Sequence, residues 1–523
     1  MDVKRRKVCS PGRVRPSDQG PTARFPARWV GARRGEGRVA QRAGPVPGEQ
    51  TLRRFTSGCT ILGDLRRNVL LLALAGGLLA ACREPARPNI LLVIIDTARA
   101  DRFPFNGYDR PTAPNLSVLA REGAVYSRAT SPGSWTVPAH ASLFTGQYQS
   151  LHGTDCGSLR LPDEAVTLAE TLHDAGYRTV GYTANPWISA PYNFKQGFDT
   201  FGETWRRVPA HSDDTGAALT NEQALRFLRF RQEDSEARRQ PFFLFLNYFE
   251  PHLPYHPPEP ERSRFLRKGQ DPSRVLRLSQ LGHPEEMRFI LGFSDLNATD
   301  LGILSDLYDG EIAYVDRRLA EVTDLLRSQG ILDETIVAVA GDHGENLGEH
   351  HLMDHKMSVH DTVLHVPLVL RYPPRVAAGQ TIAAPVQMHD LFPTLLGLAG
   401  VPLPRGVIVE AVPLPGAGLA GAGRREDAPI VGEFAGPPVD FLKTMQELFP
   451  KADLSRFNRT LVSLHRGSYT ILWGSDGRHA LYRTDEDPAQ EHDRMTAEPD
   501  RAREMEKAVE AWLSRTARSR RGP

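Results

Sequence analysis

ILLVIID, residues Ile90–Asp96, is a continuous apolar run set between RPN (87–89) and TARAD (97–101). A run without polar alternation suits a strand covered on both faces, as in a parallel sheet with helices above and below. It ends in Asp96, at the carboxyl end of the strand, where open α/β sheets place their sites. Working outward, TAPN (112–115) introduces a helix over LSVLAREG, and AVYSRAT (124–130) reads as the next strand. LAETLHDAGYRTVGYTANP (168–186) is a helix, a glycine stop and a strand, and RQPFFLFLNYFEPHLPYHPP (239–258) is a strand that runs into a Pro/His-rich loop. Residues 258–300 are polar and irregular in pattern, which predicts a surface insertion. LGILSDLYDGEIAYVDRRLAEVTDLLRSQG (301–330) is a long amphipathic helix with a glycine stop, and ETIVAVAGDHGE (334–345) is a second buried strand ending in acid and histidine. Strands alternating with helices in this way predict a parallel, two-sided α/β sandwich.

SPGSWTVPAHASLFTGQYQSLHG (Ser131–Gly153) carries the second signal. Pro138 and Gly146 bracket a short helix, because proline is favoured in the first turn and glycine just past the end. Thr136 then sits at the helix N-terminus, where free amides and the dipole favour an anion. A threonine there alone is an ordinary cap. Asp96 and the Asp342-His343 pair end two other strands, and their joint appearance with that hydroxyl is hard to explain as structure. Carboxylates and an imidazole suit a divalent cation. A cation beside a hydroxyl lowers the cost of its alkoxide and shields an approaching anionic ester, so the pattern points to a metal-activated hydroxyl attacking phosphorus or sulfur.

The chain has 523 residues, is 40% hydrophobic and 24% charged, and carries a net charge of +1. Residues 1–60 hold 14 basic and 4 acidic residues, so the remainder is mildly acidic and offers no case for nucleic acid. Those 60 residues are rich in Arg, Gly and Pro and lack the periodicity of a fold. Residues 61–82 follow a signal-peptide plan: Arg66-Arg67, then NVLLLALAGGLLAAC. Leu79-Ala80-Ala81-Cys82 resembles the bacterial lipobox, in which the cysteine is lipidated; this places the protein on the bacterial cell envelope through a lipid anchor, facing the periplasm or in the outer membrane. A signal of this kind starts near its arginines, so initiation is expected at a non-Met codon near Leu62 or Leu65. Cys9, Cys59, Cys82 and Cys156 have neither metal-ligand spacing nor a disulfide framework.

Together RPNILLVIIDTARAD (87–101), TVPAHASLFTG (136–146), GYRTVGY (176–182), EPHLPY (250–255), GDHGENLGEH (341–350) and HKMSVHDTVLHVPLV (355–369) resemble the sulfatase family of the alkaline phosphatase superfamily. MHDLFPTLLGLAG (388–400) and ALYRTDEDPAQEHD (480–493) are similar to its late elements. The resemblance implies a catalytic domain over residues 87–400, a large mostly parallel mixed sheet sandwiched by helices. It also implies a subdomain over 401–517 with a small antiparallel sheet and a closing helix, which EMEKAVEAWLSRTARS fits. It carries the metal ligands onto Asp96, Asp342 and His343, completed by the side chain of Thr136. His252 and Lys356 then contact the ester oxygens and assist the leaving group, and His140 takes the position of the family's arginine.

The departures bear on chemistry. The family oxidises Cys or Ser at the nucleophile position to formylglycine; the branched Thr136 cannot give that aldehyde, and Ser134 is out of register with Pro138. Thr136 and His140 are closer to the nucleotide pyrophosphatase/phosphodiesterase branch, whose threonine attacks phosphorus beside two metals. The ligand set of that second metal is not found, and Lys356 with His252 favours a one-metal site. Thr97 stands where many sulfatases have another acid. The lysine after the GYRT strand is missing; Asn185 lies nearby as a candidate oxyanion contact. The sequence therefore predicts a hydrolase of sulfate or phosphate esters of small molecules, glycans or lipids, with one divalent cation. Ca²⁺ leads, ahead of Mg²⁺, Mn²⁺ and Zn²⁺. The alternatives are a phosphodiesterase or phosphoryl transferase of the same superfamily, or an inactive lipoprotein that binds anionic glycans or headgroups.

Overall fold

The computed structural model describes residues 87–209, 212–425 and 428–520. The lipobox cysteine Cys82, the signal segment and the expected start near Leu62 or Leu65 lie outside the described residues. Eight strands form the main sheet: β1 (Asn89–Ile95), β2 (Ala124–Tyr126), β3 (Arg178–Thr183), β4 (Thr200–Glu203), β5 (Phe242–Tyr248), β6 (Thr335–Gly341), β7 (Leu368–Arg371) and β8 (Gln380–Ile382). Their order is β8-β2-β7-β6-β1-β5-β3-β4. Only β7 runs against the others.

The apolar run of β1 is buried at every position because it feeds two cores. Leu91, Val93 and Ile95 enter one, while Ile90, Leu92 and Ile94 enter the other. β5 divides in the same way, with Leu244 and Leu246 on one side and Phe243 and Phe245 on the other. Alternating side chains of a strand point to opposite faces, so a sheet covered on both faces needs the unbroken apolar runs seen here. AVYSRAT divides rather than forming one strand: β2 ends at Tyr126, and Ala129–Thr130 pairs with Val386–Gln387 in a separate two-stranded ribbon.

The helices that matter here are α1 (Pro114–Arg121), α2 (Thr136–Thr145), α3 (Ala217–Glu233), α4 (His283–Ile290), α5 (Ala298–Ser328) and α6 (Pro499–Arg520). The 31-residue α5 begins three residues before its apolar repeat because Asn297 and Asp300 close a capping box. Residues 258–300 are not the surface insertion their polarity predicts. They fold into three short helices, α4 the last of them, and bury Val275, Leu278, Met287, Phe289 and Ile290. Their other faces stay charged, which hides the period in the sequence.

After the main sheet the chain builds a four-stranded antiparallel sheet from β9 (Ile430–Phe434), β10 (Leu461–Arg466), β11 (Tyr469–Gly474) and β12 (Ala480–Arg483). Helix α6 packs Met505, Val509 and Trp512 into the core of this sheet.

Candidate active site

Register brings the acids together. β1 and β6 are parallel and pair Ile95 with Gly341, so the next residues, Asp96 and Asp342, leave the sheet side by side. The packing at this point is tight: a Cβ on Gly341 would meet the Ala98 carbonyl oxygen at 2.7 Å. On the other flank of β1, β5 pairs with β3, and Asn185 follows the end of β3. Its amide donates to Asp96 Oδ2, and its own oxygen accepts from the Trp187 amide. Asn185 therefore holds a carboxylate in place, where the sequence suggested an oxyanion contact.

Helix α2 starts at Thr136, with Trp135 extended at its N-cap, and stops at Gly146 in the left-handed conformation (φ 68°). All ten of its residues are buried. Thr136 Oγ1 lies 3.2 Å from His343 Nε2. His343 Nδ1 lies 2.9 Å from the Gly344 carbonyl, which can only accept, so Nδ1 carries the proton and Nε2 presents its lone pair to Thr136. Asp342 Oδ1 accepts from the amides of Thr97 (3.1 Å) and His343 (2.8 Å). Asp342 Oδ2 and Asp96 Oδ1 are buried with no hydrogen-bond partner.

Each acid thus has one oxygen held by the protein and one left over. The ligand atoms of Asp96, Asp342 and His343 all lie within 4.8 Å of one another, and all three residues are 0% exposed. Orphaned buried carboxylate oxygens facing an imidazole lone pair are the donor set of a divalent cation. Burial and the neighbouring Asp342 carboxylate push the Asp96 pKa well above the usual range. Two anions confined like this call for a positive charge between them.

The remaining sequence-selected residues divide. His140 is 0% exposed, edge-on to Phe194 and Phe245, with Nδ1 2.9 Å from the Thr136 carbonyl and 3.5 Å from Asp342 Oδ2, and its Nε2 is buried with no hydrogen-bond partner. Burial lowers its pKa, and its ring lies between helix α2 and Asp342. His252 donates from Nδ1 to the Leu253 carbonyl at 2.7 Å, stacks on Phe249, and is held to a pKa of about 4 by burial. Lys356 is held among acidic groups. Its ammonium contacts Asp354, lies 3.5 Å from Glu286 and reaches His283 at 3.2 Å. Burial opposes that charge, but Asp354 and Glu286 outweigh it and raise the Lys356 pKa.

Sequence reasoning missed several participants. His283 and Glu286 come from the misjudged segment 258–300 and close this wall of the site; their i, i+3 spacing was the available signal. Arg99 ties the loop after Asp96 to the loop after His343, donating to Asp101, Glu349 and the Glu345 carbonyl. The Tyr308 hydroxyl of α5 donates to the Thr97 carbonyl at 2.6 Å and accepts from the Arg99 amide at 3.0 Å. Thr97 itself sits at φ 51°, an unusual place for a β-branched residue, and its hydroxyl is buried without a partner. Trp135, which precedes Thr136 in the chain, forms an aromatic row with Trp187 and Tyr192, with ring centroids 5.4 and 5.5 Å apart.

A covered, mostly parallel sheet thus carries two carboxylates and an imidazole at its carboxyl edge, beside a hydroxyl at a buried helix N-terminus. The sulfatase family model matches residues 88–401. The chain belongs to the sulfatase family, within the alkaline phosphatase superfamily. It is 24% identical over 348 residues to an ulvan-active sulfatase of Formosa agariphila, covering 62% of this chain and 64% of that one, and so spans just under two thirds of that relative. It is 25% identical over 357 residues to a choline-sulfatase of Rhizobium meliloti, covering 61% and 68%. In structure it is similar to a phosphonate monoester hydrolase of Agrobacterium radiobacter, with a TM-score of 0.64 at 22% identity, over 83% of this chain and 96% of that one.

Proposed function

We propose that the chain hydrolyses sulfate or phosphate esters with the unmodified hydroxyl of Thr136 as nucleophile. The observation that carries this reading is the placement of Thr136 Oγ1, 3.2 Å from His343 Nε2 at the head of a buried helix and beside the free oxygens of Asp96 and Asp342. Asp96, Thr136, Asp342 and His343 would hold one divalent cation, which supplies positive charge to the oxygens of the ester and of the nucleophile. An imidazole nitrogen among so few ligands favours Mn²⁺ or Zn²⁺ over the Ca²⁺ expected from the sequence.

In the first step the Thr136 oxygen bonds to sulfur or phosphorus as the bond to the leaving oxygen breaks. The hydroxyl gives its proton to solvent water, the leaving oxygen takes one from Lys356, and the lysine is reprotonated from solvent. In the second step water displaces the Thr136 oxygen and restores the hydroxyl. His252 suits the uptake of the water's proton, because its Nδ1 is committed to Leu253 and its neutral Nε2 can accept. The Trp135–Trp187–Tyr192 row supports an organic leaving group with a flat or ring-shaped face.

The test is a hydrolysis panel on the purified full chain with Mn²⁺ or Zn²⁺ supplied, comparing aryl sulfate, phosphate monoester and phosphate diester in wild type and Thr136→Ala. Turnover that disappears in the variant is the expected result, and the substrate turned over separates the sulfatase from the phosphodiesterase reading. Turnover that survives the substitution removes Thr136 from the mechanism. Metal binding without turnover moves the protein to the anionic-ligand binding reading. Anchoring at Cys82 belongs to the same proposal: labelled palmitate fed to the cells should mark wild type and not Cys82→Ser.

A further inference from the structure

Four histidine rings run from the nucleophile to the rim of the site. His343, the neighbour of Thr136, packs on His355 with ring centroids 4.3 Å apart; His355 meets His252 at 5.2 Å, and His252 meets His283 edge-on at 6.4 Å. Burial falls along the row. His343 and His355 are enclosed, His252 is half-buried, and the His283 side chain is 59% exposed. His283 therefore stands at the mouth, on the side of Lys356, whose ammonium lies 3.2 Å from its Nδ1.

The ring is held by one edge. His283 opens α4 behind Gly282, and the i, i+3 spacing sets Glu286 next to it. Glu286 Oε2 accepts from Nδ1 at 2.8 Å, and Asp354 Oδ2 lies 3.5 Å from the same nitrogen. Every polar contact of the ring with described residues runs through Nδ1. Both acids are buried while the ring is not, so they fix its inner edge and leave Nε2 to solvent. Hydrogen bonding to Asp354 and Glu286 raises the His283 pKa to about 9 against the opposing charge of Lys356, so at neutral pH Nε2 carries a proton. Two acids and two cations balance here. What the site presents outward is a directed N–H rather than a long-range field.

We propose that His283 determines specificity: its Nε2–H receives a second anionic group on the leaving-group side, so the preferred ester is one whose alcohol part bears a carboxylate, sulfate or phosphate of its own. An imidazolium N–H makes short, charge-assisted bonds to such oxygens. Nε2 lies one ring-width beyond the nitrogen that adjoins Lys356, so the second anion sits a few bonds from the leaving oxygen, as substituents on one sugar or aryl ring do. The inference rests on the ester-hydrolase reading for the place of Lys356, but not on Thr136 as nucleophile nor on sulfur over phosphorus.

The experiment is equilibrium binding, so it needs no turnover. Isothermal titration calorimetry on the full chain with Mn²⁺ supplied compares benzenesulfonate with benzene-1,3-disulfonate, which carries two anions on one ring. Wild type is expected to bind the disulfonate about tenfold or more tightly, the worth of one charge-assisted bond. His283→Gln should bring the ratio of the two affinities to about twofold, the statistical advantage of two equivalent anions. His283→Lys, which keeps a cation at the rim, should retain most of the wild-type ratio, with folding of both variants checked by far-UV circular dichroism. A wild-type ratio of about twofold or less overturns the proposal, and so does the wild-type ratio kept by folded His283→Gln. A residue that only held α4 in place would weaken both probes alike and leave the ratio standing. Failure of the Thr136 reading appears instead in the hydrolysis panel and leaves this ratio untouched.

Discussion

Trp512 offers a direct test of how the C-terminal helix supports the rest. It is 5% exposed, and its Nε1 donates to Glu433 Oε1 at 2.9 Å; the other oxygen of Glu433 accepts from the Ser150 amide at 2.8 Å. The indole also meets the Tyr148 ring edge-on at 4.6 Å, two residues past the glycine that ends α2. Trp512→Phe keeps much of the packing and removes the donor, leaving a buried carboxylate oxygen short of one bond, a loss of about 1–3 kcal/mol. Trp512→Ala adds the empty volume and should destabilise by about 3–5 kcal/mol. The two effects separate by pH. Burial raises the Glu433 pKa and the indole N–H lowers it, so the donor stabilises the charged form. The loss in Trp512→Phe is therefore fully present at pH above the folded pKa and shrinks as pH falls and the carboxyl protonates. Urea unfolding of the full chain, followed by far-UV circular dichroism at pH 8 and 5.5, reads both. A Trp512→Phe midpoint equal to wild type at pH 8, or a loss that is the same at both pH values, refutes the reasoning.

Two further outcomes follow from buried groups elsewhere. His360 is half-buried against the His350 ring at 3.9 Å, and desolvation holds its pKa at about 3, below the unfolded value of 6.5. Its neutral form costs nothing above pH 6.5, but stability is lost as pH falls from 6.5 towards 3, about 2 kcal/mol by pH 5; His360→Gln should remove that share of the decline between pH 7.5 and 5 in urea melts. Asp316 on α5 accepts from the amides of Asn115 (3.0 Å) and Leu116 (2.7 Å), capping α1 from outside. Asp316→Ala should destabilise by about 2–4 kcal/mol, with Asp316→Asn milder, and equal urea midpoints for wild type and Asp316→Ala would remove the cap from the account.

The elements that could be read in advance are those whose pattern is local. ILLVIID and TIVAVAG are unbroken apolar runs, and each delivers its acid at the strand end because parallel pairing aligns Ile95 with Gly341. Helix α2 is written in Pro138 and Gly146. What stayed hidden depends on partners distant in the chain. The sequence places His140 at the family's arginine position, four residues after Thr136, but its packing edge-on to Phe194 and Phe245 could not be read there. Lys356 matched a family position, yet its environment is set by Glu286 on a helix about 70 residues earlier. That helix escaped notice because short amphipathic helices with long charged side chains resemble loop in composition.

Helix α5 meets two very different neighbours. Tyr308 grips the loop that carries Asp96, while Asp300 and Asp306 take Arg274 and Gln270 of the segment before the helix. The loop that carries Asp96 and the segment before the helix are thus mounted separately on one rod. Residues 261–290 could be exchanged for another cassette, with His283 and Glu286 retained, and the bonds that set Asp96 would not be touched. The molecule is in that sense modular: a library built in this segment should change which molecules are admitted while the bond-breaking groups keep their positions.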